Sequence, residues 1–144
     1  MSSVMMKTRD RVTANTDPAV NERIRRRAEE RLWFYEQNPD LIPRRLRELD
    51  EEWDIERSLE TASSSISLFG LAMAVLSGRR WLVLPLLVQG FFLQHGIQGW
   101  CPPLPALRKM GVRTQEEIED ERRRLLALQE RAIPVQRASG APRE

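Results

Sequence analysis

The feature that most constrains this 144-residue chain is a long block without acidic side chains. Residues 61–107 contain no Asp or Glu, and Arg79 and Arg80 are the only side chains there with a formal charge at neutral pH. An ionised side chain at the centre of a bilayer costs a few kcal/mol, so a stretch without carboxylates is typical of segments that face lipid. We therefore expect residues 62–100 to enter a membrane.

Two apolar runs make up this block. The first covers residues 66–76, or residues 62–76 if the serines before it are counted, and the second covers residues 81–100. At about 1.5 Å per residue, the second run is long enough to cross roughly 30 Å of hydrocarbon, whereas the first is marginal. The polar connection is short, which predicts antiparallel neighbours. Small residues are expected to let the two helices approach closely: Gly70, Ala72, Ala74, Gly90 and Gly96.

The predicted fold class is all-α, a two-helix transmembrane hairpin with charged amphipathic helices before and after it. We expect residues 1–16 to be disordered, residues 17–60 to be a cytoplasmic charged helical segment and residues 61–114 to be the membrane hairpin domain. Residues 115–133 are predicted to form a C-terminal charged helix, and residues 134–144 a loose tail. Nothing in residues 51–71 is a strong helix stop, so the helix that starts near Pro43 is free to continue into the apolar block.

Positive charge near the ends of the block predicts the orientation. Arginine and lysine side chains are numerous on both flanks, whereas the connection has Arg79 and Arg80 alone. Both termini should therefore be cytoplasmic, although the two arginines of the connection oppose this orientation without reversing it. Residues 1–12 lack an apolar run, so no cleavable signal peptide is expected. The net charge of +2 argues against nucleic acid as a partner.

Polar side chains within the second run are candidates for function. Gln94, His95 and Gln98 lie within an arc of about 100° on a helix. They either hydrogen-bond at the membrane interface, as structural groups, or take part in transport, proton relay or ligand binding. His95 alone cannot build a metal site, because zinc needs at least three protein ligands. We expect no catalytic residue, no cofactor and no metal ion.

Aromatic and sulfur-containing residues complete the set of candidates. Cys101, between Trp100 and Pro102, is either a reactive thiol at a wet interface or a small apolar filler. Trp81 and Trp100 bracket the second run and are typical of an aromatic belt. Two further tryptophans, Trp33 and Trp53, are expected to pack helix against helix. The candidate interface residues are therefore Arg79, Arg80, Gln94, His95, Gln98, Trp100 and Cys101.

The stretch from Gly99 to Leu104, Gly-Trp-Cys-Pro-Pro-Leu, followed by Leu107, Gly111 and Thr114, resembles the YgaP-like transmembrane domain family. The resemblance covers residues 64–114. It implies a bacterial inner-membrane protein with a self-associating helical hairpin, in a family without a settled activity. Some members carry a rhodanese sulfurtransferase domain. Here Cys101 belongs to the membrane element and does not head an active-site loop, so sulfurtransferase activity is not expected.

The leading functional hypothesis is a non-enzymatic, multi-pass membrane protein that acts as a scaffold, regulator or subunit. Its partners would be the lipid bilayer, further copies of itself, and an unidentified protein bound by the charged helices. Two alternatives stay open: a redox or sulfur-handling protein that uses Cys101, and a small oligomeric channel or carrier lined by Gln94, His95 and Gln98. A soluble fold with the apolar block as its core is the remaining alternative.

Overall fold

Helices make up all of the secondary structure in residues 10–139, the part of the chain that the computed structural model describes, with side chains for residues 10–132. The prediction of an all-α chain is confirmed for these residues. The helices are α1 (Arg11–Ala14), α2 (Pro18–Gln37), α3 (Ile42–Glu51), α4 (Ile55–Ser77), α5 (Val83–Gln98), α6 (Leu104–Met110) and α7 (Gln115–Ser139), with 3₁₀ turns at Pro39–Leu41 and Arg79–Leu82.

Local signals explain most helix ends. Pro18 occupies the first position of α2, where the missing N–H of proline is harmless, and Gly111 ends α6 with a φ of 93°. The predicted continuity between the helix near Pro43 and the apolar block is wrong, because α3 ends at Glu51. Asp54 then starts a new helix, since its Oδ1 accepts the backbone N–H of Arg57 at 2.7 Å.

The described chain forms two compact units. The first unit contains residues 10–21 and 53–114. Its core consists of buried side chains from α1, α4, α6 and the turn before α6: Val12, Ile55, Leu59, Cys101 and Leu104. Beside this core, the fully buried Arg108 donates from Nη2 to Asn21 Oδ1 at 2.8 Å and from Nη1 to the Val112 carbonyl at 3.2 Å.

The second unit contains residues 22–52 and 115–139. Its core consists of Ile42, Leu49, Ile118 and Leu125. The buried carboxylate of Glu121 lies in the same unit, 2.8 Å from Arg31 Nη2 and 2.9 Å from Arg45 Nε. Burial lowers the pKa of Arg45, but the hydrogen bond and negative charge of Glu121 outweigh it and raise that pKa.

The predicted boundaries differ from these units in three places. Residues 10–16, expected to be disordered, contain α1 and the buried Val12, while residues 1–9 lie outside the described part. Residues 17–60 do not act as one segment, because residues 22–52 pack with α7 in the second unit. Helix α7 continues through Pro134 to Ser139, whereas a loose tail was expected from residue 134; residues 140–144 are outside the described part.

Candidate functional site

The pair of helices α4 and α5 has small or polar groups between its helices. Ser63, Ser67 and Gly70 are buried on α4, and Ser67 Oγ accepts a hydrogen bond from Gln89 Nε2 of α5 at 2.9 Å. Gly70 lies against Pro85, and Phe69 meets Trp81 of the connection edge-on with ring centroids 6.1 Å apart. From the Ser67–Gln89 contact to the Gly70–Pro85 contact, residue numbers rise along α4 and fall along α5, so the two helices are antiparallel.

Large apolar side chains cover the outside of the same two helices. Val75 is 87% exposed and Leu86 is 73% exposed. The other exposed apolar residues of α4 and α5 include Ile66, Leu68, Phe69, Leu71, Leu76, Val83, Leu87, Phe91, Leu93 and Ile97. A water-soluble helix pair has the reverse distribution, with apolar side chains between the helices and polar ones outside. This surface, called the apolar belt below, is a candidate for contact with lipid or with another protein.

Close approach of the two helices depends on one of the small residues named in the sequence. A Cβ atom at Gly70 would lie 2.6 Å from Pro85 Cδ, so only glycine fits there without displacement. Added Cβ atoms at Gly90 and Gly96 would meet nothing within 4 Å. The expectation that Gly90 and Gly96 serve the packing of the two helices is therefore wrong.

The helices that contain the two apolar runs differ in length, because α4 begins before its apolar run, at Ile55. Helix α4 has 23 residues and α5 has 16, which correspond to about 35 Å and about 24 Å at 1.5 Å per residue. Within residues 10–139, the stretch Pro39–Ser77, made of the turn Pro39–Leu41, α3 and α4, is the one long and apolar enough to cross a membrane by length and composition. Its most apolar window is only 22% buried, whereas a core helix of a soluble protein is mostly buried.

His95 is buried at the end of α5 that is remote from the connection. Its Nε2 lies 3.3 Å from Glu56 Oε2 at the start of α4, and its ring is stacked on Phe92. The buried Nδ1 has no hydrogen-bond partner in the described part of the chain. The imidazole therefore links the two helices, and its partner Glu56, 39 residues earlier, was not anticipated because nothing in the local sequence marks that pair.

The two glutamines next to His95 do not converge with it on one site. Gln94 Nε2 lies 3.4 Å from Gln98 Oε1, so the two amides pair with each other along the helix surface. The carbonyl of Gln98 accepts a hydrogen bond from Asn15 Nδ2 at 2.9 Å, and the carbonyl of Gly96 accepts one from Arg11. Sequence reasoning missed these α1 contacts, because residues 10–16 show no periodicity.

Cys101 belongs to the core of the first unit. Its side chain is buried, Trp100 packs against the same core half-buried, and burial raises the pKa of the Cys101 thiol. Cys101 also lines a groove of about 220 Å³, together with apolar side chains of α4 and α5 such as Ile66 and Phe91. These surroundings favour the neutral thiol and a packing role.

Arg79 and Arg80 are exposed in the 3₁₀ turn between α4 and α5, at the opposite end of the helix pair from His95. The predicted site residues therefore form two separate groups, one at each end. Among the described residues, no three His, Cys, Asp or Glu side chains are grouped so that they could hold a metal ion. Comparisons of the chain with protein-family models, with curated proteins and with solved structures found no match.

Proposed function

We propose that this chain is an integral membrane protein in which α4 and α5 form a two-helix transmembrane hairpin. Its role is that of a non-enzymatic scaffold, regulator or subunit. The hairpin crosses a bacterial inner membrane, as the sequence resemblance to the YgaP-like family implies. Both termini lie in the cytoplasm, as the positive charge on the two flanks implies. The charged helices then lie in water and provide surfaces for assembly.

The apolar belt is the observation that carries this proposal. Leaving side chains such as Val75, Leu76 and Leu86 in water is unfavourable, because each fully buried aliphatic side chain contributes about 1.5–3 kcal/mol. In a bilayer the same side chains are solvated by acyl chains. The partly buried Ser67–Gln89 hydrogen bond fits this environment, because membrane helices associate through small residues and interhelical hydrogen bonds.

The shorter length of α5 fits a bilayer if the adjoining 3₁₀ turn is included. Arg79–Leu82 adds four residues to the 16 of α5. Arginine side chains in such a turn can extend to the headgroup region, and Trp81 beside them is typical of the interface. Local thinning of the bilayer around a short span is a known and modest cost.

The two alternative functions have weaker support. A thiol-based reaction at Cys101 requires a reactive thiolate, whereas the thiol is buried and its pKa is raised. A channel lined by Gln94, His95 and Gln98 requires these side chains to share one face, whereas His95 is buried against Glu56 and the two amides pair outside it. Both stay open as hypotheses, and the channel or carrier is one for an assembly of several chains.

Extraction of membrane fractions with alkaline carbonate tests the spanning hairpin. We expect the chain to stay in the pellet, because the apolar belt holds it in lipid. A matched pair of variants sharpens the test: Leu86→Lys charges the exposed face of α5, and Leu126→Lys charges the exposed face of α7 in the second unit. Only Leu86→Lys should reduce membrane insertion, and release of the wild-type chain into the supernatant would refute the proposal.

Topology is measured with single cysteines in a Cys101→Ala background, since Cys101 itself is buried. Ser77→Cys lies in the connection and Gln115→Cys lies at the start of α7, and both positions are exposed. With cytoplasmic termini, a membrane-impermeant maleimide should label Ser77→Cys from the periplasmic side and should label Gln115→Cys only after the inner membrane is opened. The reverse pattern would contradict the proposed orientation.

A further inference from the structure

A groove of about 390 Å³ lies between α2 and α7 in the second unit. Its α2 wall consists of Glu29, Leu32, Trp33 and Glu36. These positions are spaced i, i+3, i+4 and i+7, so they share one face of the helix. The α2 wall is therefore acidic at both ends and apolar in the middle.

The α7 wall of this groove has the same spacing with the opposite charge. It consists of Arg124, Ala127, Leu128 and Arg131, again at i, i+3, i+4 and i+7. The charged residues on each wall are seven positions apart, about 10.5 Å along the helix axis. The two walls thus match in length and pattern, and the α7 wall is basic at both ends.

Three of the four charged side chains of the groove lack a polar partner in the described part of the chain. Glu29, Glu36 and Arg131 form no ion pair or side-chain hydrogen bond there, and Arg124 pairs along its own helix with Asp120. Trp33 was expected to pack helix against helix, but 66% of its surface is exposed. A large exposed aromatic residue between charged groups is the usual composition of a protein interface.

We propose that this groove, the α2–α7 groove, binds the same groove of a second copy of the chain. The inference rests on the proposed function, because it identifies the surface through which the subunits assemble. A two-fold axis places α2 of one copy beside α7 of the other, so that each acidic wall meets a basic wall. The resulting four helices alternate in charge around a shared centre, where Trp33, Leu32 and Leu128 are buried.

Self-complementarity is the reason for choosing a second copy as the occupant. The acidic and basic walls belong to the same chain, have equal spacing and are related to each other by charge reversal. An isologous contact satisfies both walls at once, whereas a partner with one predominant charge would match one wall and repel the other. The aromatic side chain of Trp33 would provide the desolvated centre of the contact.

Charge reversal and mixing of variants test this interface. Two charge variants of the chain are purified in mild detergent with different affinity tags. One variant carries Glu29→Arg and Glu36→Arg, and the other carries Arg124→Glu and Arg131→Glu. Each variant alone has like charges on facing walls, so we expect its dimer Kd to rise about tenfold or more. The mixture restores opposite charges at every contact, so the two variants should associate with each other about as tightly as the wild type does with itself.

Two further variants separate the interface from other effects. A control variant carries Asp40→Arg and Glu51→Arg at exposed positions of the second unit outside the groove. It has the same net charge as the variant with Glu29→Arg and Glu36→Arg, but its dimer Kd should be that of the wild type. Trp33→Ala removes a side chain that is 66% exposed, and it should weaken the dimer about tenfold. If the charge variants fail to fold, as judged by circular dichroism, Trp33→Ala decides the question.

Several results would overturn the proposal. The wild-type chain could be monomeric at all concentrations, or a different protein could occupy the groove. Alternatively, each charge variant could self-associate like the wild type, or the two folded variants could fail to associate when mixed. An unchanged dimer Kd for Trp33→Ala would do the same. The membrane proposal is judged separately, because carbonate extraction of these variants should match that of the wild type whether or not they dimerise.

Discussion

Replacement of Gly70 by alanine probes the contact between α4 and α5 directly. The added Cβ would lie 2.6 Å from Pro85 Cδ, whereas ordinary van der Waals contacts of this kind measure 3.4–4 Å. The proline ring cannot rotate away, because it is closed onto the backbone of α5. The helices must therefore separate by about 1 Å, and overpacking of this kind costs about 1–3 kcal/mol.

Alanine also stabilises a helix relative to glycine, by about 1 kcal/mol. The expected net effect of Gly70→Ala is therefore a loss of about 1 kcal/mol in the free energy of unfolding. Gly90→Ala in α5 is the matched control, because its Cβ would meet nothing within 4 Å. It should be neutral or stabilising by up to about 1 kcal/mol, so the two variants should differ by about 2 kcal/mol.

Unfolding in mild detergent, titrated with a denaturing detergent and followed by tryptophan fluorescence, measures this difference. Helix content before titration is compared by circular dichroism, so that altered folding is distinguished from altered stability. Equal stability of Gly70→Ala and Gly90→Ala would refute the close approach of α4 and α5. A Gly90→Ala variant that is strongly destabilised would instead show that the outer face of α5 is covered.

Three further changes have definite expected outcomes. Glu121→Gln removes the buried negative charge between two arginines and should lower the free energy of unfolding, measured by thermal unfolding, by about 3 kcal/mol. The control Glu130→Gln, on the exposed face of α7, should lower it by less than about 0.5 kcal/mol. The raised pKa of Cys101 leaves less thiolate at neutral pH, so alkylation should be slower than at an engineered Ser77→Cys and should accelerate only above the ordinary thiol range. Asp54→Ala removes the cap of α4 and should cost about 1 kcal/mol.

Each of these outcomes has a result that would contradict it. Comparable melting of Glu121→Gln and Glu130→Gln would mean that the buried carboxylate contributes little. Equal alkylation rates at neutral pH would mean that Cys101 is accessible. An Asp54→Ala variant with unchanged stability and helix content would mean that α4 starts without this cap.

The helices themselves were largely predictable from local signals. Pro18, Pro39 and Gly111 mark three helix ends in the sequence: the start of α2, the break after α2 and the end of α6. The start of α4 was missed because Asp54 is one acidic residue among several, and its role as a cap depends on a backbone turn that the periodicity of its neighbours does not reveal.

The candidate site was predicted less well, because its geometry depends on residues far apart in the chain. The sequence indicated that His95 and Cys101 stand near the end of the second apolar run, but not that Glu56 and α1 pack there. It indicated small residues in both runs, but not that Gly70 alone of the glycines in α4 and α5 meets a neighbouring side chain closely.

Two features of the sequence by themselves determined the broad fold. The spacing of apolar residues indicated helices, and the distribution of charge indicated an apolar centre with charged flanks, because periodicity and solvation act over a few residues at a time. Tertiary structure alone decided which groups pair across long separations, such as Arg31 with Glu121, 90 residues apart. It also decided that large apolar side chains of α4 and α5 point outward, whereas Ser63, Ser67 and Gly70 are buried. That choice depends on the solvent and on the neighbouring helix, neither of which is written in the local sequence.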